Sequence, residues 1–188
     1  MEQEYSMEVR HATSPDEVDR MGTEELRGRF LVPGLVGGAM VRLVYSHHDR
    51  LVVGGVTPGT ESVALPNPGA LRSAYFLERR ELGVVNVGTA TGRITVDGEV
   101  FELGPKECLY AGRGARDVAF AGHGASFYLV STPAHAVFPS CIMASGTRPS
   151  PASSRARRRC ALTSPASAGG RSTSTASALR LRRTSQSL

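Results

Sequence analysis

Ile94-Thr95-Val96-Asp97-Gly98-Glu99-Val100-Phe101-Glu102 sets two runs of β-branched and aromatic residues on either side of Asp-Gly. Asp97-Gly98 can take the two positive φ angles of a type I′ turn, whose twist matches a pair of antiparallel strands. The stretch therefore reads as a hairpin, with strands over 92–96 and 99–103. The same period-two pattern continues outward in both directions. Before the hairpin it predicts strands over 41–46, 51–56, 61–65, 74–77 and 84–87. After it, it predicts strands over 107–111, 117–121 and 126–131. Turn residues separate these runs at short spacing, and no helical period intervenes. Many short antiparallel strands without helices predict an all-β, cupin-like β-sandwich or jelly roll over 40–140.

Upstream, residues 1–39 read as an arm with a short helical segment. Ser14-Pro15-Asp16-Glu17 is a capping box with Pro at the first helical position. It predicts a helix within 13–31 that Gly22 can end. Thr23-Glu24-Glu25-Leu26 restarts a second one, with Leu26, Phe30 and Leu31 on one face.

Composition breaks sharply near Ser140. All 17 acidic residues lie at or before Asp117. The last 48 residues hold nine Arg, 11 Ser and eight Ala, with no acid, aromatic, Val or Lys. With nine of the 22 basic residues in that tail, the first 140 residues carry 13 basic against 17 acidic groups, a formal charge of −4. The overall +5 thus describes neither part. A one-signed tail without aromatics cannot bury enough apolar surface to offset its ordering entropy, so 141–188 is expected to be disordered. Arg outnumbers Lys 21 to one, which points to a GC-rich gene. Shifted GC-rich codons yield a mixture of Arg, Ala, Ser, Pro, Gly and Thr, so the tail is expected to be a frame-shifted translation. A solvated basic tail binds polyanions nonspecifically, and no aromatic stacking residue accompanies this one. No nucleic-acid partner is therefore expected.

The N-terminus is acidic and polar and lacks the basic start and apolar run of a signal peptide. No apolar run approaches the roughly 18 residues that cross a bilayer, so no membrane partner is expected. Cys108, Cys141 and Cys160 fit neither a disulfide framework nor a zinc ribbon. These features predict a reduced, cytoplasmic protein.

Two stretches are dense in groups that carry chemistry. Tyr45-Ser46-His47-His48-Asp49-Arg50 closes a predicted strand. Neighbours on a strand face opposite sides, so His47 and His48 cannot easily share one metal. His47 is open to two readings, a structural or solvated histidine and a proton-transfer group. Tyr75-Phe76-Leu77-Glu78-Arg79-Arg80-Glu81-Leu82-Gly83 is either a solvated turn with weak ion pairs or an arginine fork for a carboxylate. Gly112-Arg113-Gly114 and Gly122-His123-Gly124 precede no helix and read as turns rather than phosphate loops. No His-x-His with a following Glu occurs.

These strings, with Val53-Gly54-Gly55, Thr95-Val96-Asp97-Gly98, Leu109-Tyr110, Phe127-Tyr128 and Pro133-Ala134-His135, resemble the 4-deoxy-L-threo-5-hexosulose-uronate ketol-isomerase family, also called 5-keto-4-deoxyuronate isomerase. The resemblance runs from about Thr23 to Pro139. It implies a cytoplasmic enzyme of pectin degradation, built on a double cupin and assembled as hexamers. That family interconverts 5-dehydro-4-deoxy-D-glucuronate and 3-deoxy-D-glycero-2,5-hexodiulosonate. It also implies one zinc, held by three His and a Glu in the C-terminal half of the family. The matching segment stops short of that half, so no residue here inherits a ligand role. These 188 residues are therefore expected to bind no catalytic zinc and to lack isomerase activity. The alternative expectation is a non-catalytic cupin half serving as a subunit or interaction module. Within the matching segment, Arg50, Arg79 and Arg80 are the candidates for the uronate carboxylate, and His47 is the candidate for proton transfer.

Overall fold

A computed structural model describes residues 5–37 and 41–143. The described residues open with a strand, β1 (Tyr5–Arg10), and two short helices, α1 (Pro15–Val18) and α2 (Thr23–Phe30). Strands β2 (Val41–Ser46), β3 (Leu51–Val56) and β4 (Val63–Ala64) follow, then a 3-10 turn at Gly69–Leu71. The remaining strands are β5 (Arg80–Asn86), β6 (Gly92–Val96), β7 (Glu99–Leu103), β8 (Cys108–Ala111), β9 (Val118–Ala121), β10 (Phe127–Pro133) and β11 (Cys141–Met143).

The strands form two sheets, a larger one in the order β1-β2-β3-β10-β5-β8-β11 and a smaller one in the order β4-β9-β6-β7. The pairings are antiparallel except for β1 on β2, which is parallel. Alternation along the strands turns one row of each inward. Leu82 and Val84 from the larger sheet meet Ile94, Leu103 and Phe120 from the smaller one in a single core. The rings of Phe120 and Phe127 lie 5.5 Å apart across the gap. Burying such a ring contributes on the order of 2–3 kcal/mol, so this interleaved layer holds the sheets together. The expected all-β sandwich with a short helical segment is what the chain forms.

The hairpin that suggested the fold is present at both its predicted strands. Asp97 and Gly98 have φ of 47° and 85°, and Asp97 Oδ1 accepts from the Arg116 and Asp117 amides at 2.8 and 2.9 Å. The capping box is also made. The Ser14 amide donates to Glu17 Oε2 at 2.8 Å, and the Glu17 amide donates to Ser14 Oγ at 3.4 Å. The Ser14 amide, and after it the Ser14 hydroxyl that donates to the same carboxylate at 3.1 Å, hold the Glu17 carboxyl below its usual pKa.

Several expectations are corrected. The predicted strand at 74–77 is a run of turns, in which the Ala74 amide donates to Glu78 Oε2 at 2.7 Å. Phe76 and Leu77 reach the core from that turn, so their apolarity reflects burial and not a strand. The next strand begins at Arg80 instead of Val84. Gly22 starts α2 as its N-cap, whereas α1 ends at Asp19. The arm contains a strand, β1, and the expected disordered tail begins with one, β11. The rest of that tail lies outside the described residues. Cys108 is a free thiol. Among the described residues no helix is long and apolar enough to cross a membrane.

Candidate functional site

The larger sheet runs out toward one end of the sandwich, and there its inward row changes from apolar to polar. Tyr45 pairs with Val52, Val52 with Ser131, and Ser131 with Leu82, so the four make one rung across β2, β3, β10 and β5. Arg80 is the next inward residue of β5 beyond that rung, opposite Pro133. It is only 8% exposed. A buried guanidinium needs acceptors. Its Nε donates to Ser131 Oγ at 3.1 Å. Its Nη2 donates to the carbonyls of Ser131 and Arg50 at 2.8 and 2.6 Å. The Tyr45 ring lies beneath the guanidinium, 6.0 Å from ring centre to Cζ. Burial lowers the pKa of Arg80, with Tyr45 opposing and Arg50 adding to the shift. An arginine stays cationic through such a shift.

The carbonyl of Arg50 is in place because of the β2–β3 turn. Residues 47–50 connect Ser46 to Leu51, which are paired, and the last two of the four turn the chain back into β3. Asp49 and Arg50 both adopt φ of 54°. This left-handed conformation costs a non-glycine residue on the order of 1 kcal/mol. The same device recurs at Arg72, with φ of 49°, whose carbonyl accepts from Arg79 Nη2 at 2.6 Å. Two left-handed arginines thus present their carbonyls to the two neighbouring arginines of β5 and its leading turn.

Between these groups lies an open cavity of about 170 Å³. Arg50, Arg79 and Arg80 supply its charge, and Ser73 adds a hydroxyl. Tyr45, Ala70, Leu71 and Pro133 supply apolar wall. No acidic residue lines it. Among the described residues none of the three arginines forms an ion pair. The cavity therefore concentrates positive charge with no internal counter-charge, and anions are the ligands it favours.

Of the residues singled out from sequence, Arg50, Arg79 and Arg80 come together here. Arg80 is not in the solvated turn that was one of its readings. His47 is absent from the cavity wall. It sits in the turn beyond β2, exposed, its ring stacked on His11 at 5.0 Å and meeting the Tyr45 ring edge-on at 5.0 Å. His48 is also in the turn, and its Nε2 accepts from the Thr13 amide at 3.2 Å. Neither histidine is on a strand, so their separation comes from the turn and not from strand alternation. Among the described residues no three of His, Cys, Asp and Glu are grouped so as to hold a metal ion. Tyr45 and Ser131 were missed as site residues. A signal existed for Tyr45, an aromatic at the end of a predicted strand, in the same dense stretch as Arg50. Ser131 gave none, since a serine in an apolar strand looks the same whether it meets solvent or an arginine.

Outside the cavity, Glu81 faces the other side of β5 and accepts from the Tyr110 hydroxyl at 2.9 Å. Burial first, then this bond and the charge of Glu81, push the Tyr110 phenol up to about 12. Burial likewise raises the Cys108 thiol.

Comparison with known proteins adds an independent line. The profile of the KduI/IolB family matches residues 34–153. A Bacillus pumilus protein, 4-deoxy-L-threo-5-hexosulose-uronate ketol-isomerase, is 51% identical over 136 residues, covering 71% of this chain and 49% of that protein. A Formosa agariphila protein of the same name is 47% identical, covering 70% and 48%. The chain therefore spans about half the length of the curated relatives it matches. Among solved structures, the Schizosaccharomyces pombe Cnp3 cupin domain aligns with a TM-score of 0.37 at 10% identity, over 50% of this chain and 60% of that one. A cupin protein from Bacteroides fragilis aligns with a TM-score of 0.32 at 16% identity, over 46% and 66%.

Proposed function

This chain belongs to the KduI/IolB family, and on that premise we propose that the protein it represents is a ketol-isomerase of pectin-derived uronates. The reaction interconverts 5-dehydro-4-deoxy-D-glucuronate and 3-deoxy-D-glycero-2,5-hexodiulosonate, by moving a proton between neighbouring carbons. The names of the relatives support this reading, each of which matches over about half its length. By the same resemblance the protein acts in the cytoplasm as a homo-hexamer.

The observation that carries the role of this half is the cavity with three arginines and no acid. Arg79 and Arg80 follow one another at the head of β5 and Arg50 faces them from the turn. A guanidinium receives a carboxylate through two parallel hydrogen bonds, each charge-assisted bond being worth about 1.5–3 kcal/mol. We assign these three residues to the uronate carboxylate. His47, exposed and separated from the cavity wall by the Tyr45 ring, is assigned to proton transfer on the part of the substrate that lies outside the cavity. Zinc, where the family uses it, polarises a carbonyl. The described residues offer no set to hold it, and we assign it to residues of the family's other half. The 188-residue polypeptide by itself then lacks isomerase activity.

The test is to assay the purified 188-residue protein and the Bacillus pumilus relative side by side, with metal analysis of both. Turnover and stoichiometric zinc are expected in the relative alone. Stoichiometric zinc with turnover in the shorter protein would overturn the division of labour. No turnover in either would overturn the uronate assignment.

A further inference from the structure

The cavity is small and open on one side. Its volume of about 170 Å³ is close to that of cavities which take one benzene-sized guest, and a six-carbon uronic acid has about twice the non-hydrogen atoms of benzene. Its lining is also divided. The arginines supply one side, and Leu71, Ala70 and Pro133 supply the other. A planar carboxylate with one or two attached carbons matches that division, since its oxygens meet guanidinium and its carbons meet apolar wall. A phosphate group fits less well, because its outward oxygens would face Leu71 and Pro133 unpaired.

We propose that this cavity is a metal-independent site that reads only the carboxylate end of its ligand, and so accepts short 2-hydroxy and 2-oxo acids as well as uronates. The proposal rests on the carboxylate assignment made above. It adds that the sugar ring contributes little, because the rest of a uronate extends through the open mouth toward solvent. It also gives Arg50 two separable parts. Its carbonyl receives Arg80 Nη2 at 2.6 Å and so positions that guanidinium, while the residue is part of the cavity wall, where the proposal gives its guanidinium the ligand. Its φ of 54° is one that glycine adopts freely. Arg50→Gly therefore removes the side chain, keeps the carbonyl and relieves backbone strain.

The experiment is calorimetric titration of the full 188-residue chain in EDTA at low salt. The ligands are D-glycerate, pyruvate, D-glucuronate, D-glucose and inorganic phosphate. We expect the three carboxylates to bind within about ten-fold of one another, with no binding of glucose and much weaker binding of phosphate. In Arg50→Gly, carboxylate affinity is expected to fall at least about ten-fold while the melting temperature stays level or rises. Arg79→Gln, an exposed position, is expected to weaken the same three ligands. Binding of glucuronate alone would overturn the proposal and leave the uronate assignment standing. Phosphate binding as tight as glycerate would make the cavity a general anion site and overturn it. Carboxylate affinity unchanged in Arg50→Gly would remove the site from this cavity. No carboxylate binding at all would overturn both this proposal and the placing of the uronate carboxylate here, leaving the isomerase reading to its own assay.

Discussion

Tyr110 shows how a partly exposed side chain carries a measurable signature of its surroundings. Packing on β8 and the bond to Glu81 raise its phenol to about 12, above the ordinary value near 10. A group raised on folding contributes its stability in full below the unfolded value. That contribution is lost as pH climbs through the folded value, here between about pH 10 and 12. Ultraviolet difference titration should therefore reveal one phenol ionising about two units later than the free side chain. Tyr110→Phe should remove that late step and cost about 1 kcal/mol at neutral pH, the worth of one ordinary hydrogen bond. A late step that persists in the variant would show that another tyrosine owns it. Arg50 and Arg72 illustrate a different economy of the single residue. Each holds a backbone angle that suits glycine, yet each offers both a carbonyl to a neighbouring arginine and a charged side chain.

Among the elements, the β6–β7 hairpin is built most completely from local instructions. Its turn angles come from Asp97 and Gly98, and the Asp97 carboxylate ties it to the two residues that lead into β9. Gly98 has φ of 85°, and a Cβ placed there would meet open space. Gly98→Ala therefore isolates the backbone penalty from any packing change, and it should destabilise by about 1–2 kcal/mol. Urea unfolding checks this through a lower midpoint at unchanged slope. An unchanged midpoint would mean that the turn relaxes to another type in the variant. The β2–β3 connection is the counterpart beside the cavity, where a similar pair of positive angles is occupied by Asp49 and Arg50.

At the scale of the molecule, the sandwich was legible wherever a strand buries one face and turn chemistry fixes its ends. That holds for β2, β3, β6 and β7, whose limits agree with the pattern of the sequence. It fails at Tyr75-Phe76-Leu77, where a turn drives consecutive apolar residues into the core and imitates a strand. It fails also at β1 and β11, because an edge strand is created by its neighbour as much as by its own residues. The grouping of the three arginines was legible in part, since Arg79 and Arg80 are neighbours in sequence whereas Arg50 joins them only through the sheet. The cavity was not, because it arises where β2, β5 and β10 end together, and Tyr45 in its wall and Ser131 behind Arg80 are brought there only through registers between distant segments.

The parallel pairing of β1 on β2 has a consequence in time. Tyr5 sits opposite Val41, so closing this ladder must wait for the whole intervening arm to be gathered in, whereas adjacent hairpins close at once. β1 also has one neighbour in the sheet, where β10 lies between two. The sheet should thus behave as two populations of amides. Those of β1 should trade their hydrogens for deuterium through local opening, and those of β10 only through opening of the entire domain. Exchange followed by mass spectrometry or NMR would then find β1 labelled first by orders of magnitude, and equal rates in the two strands would mean that the arm and the sandwich open as one unit.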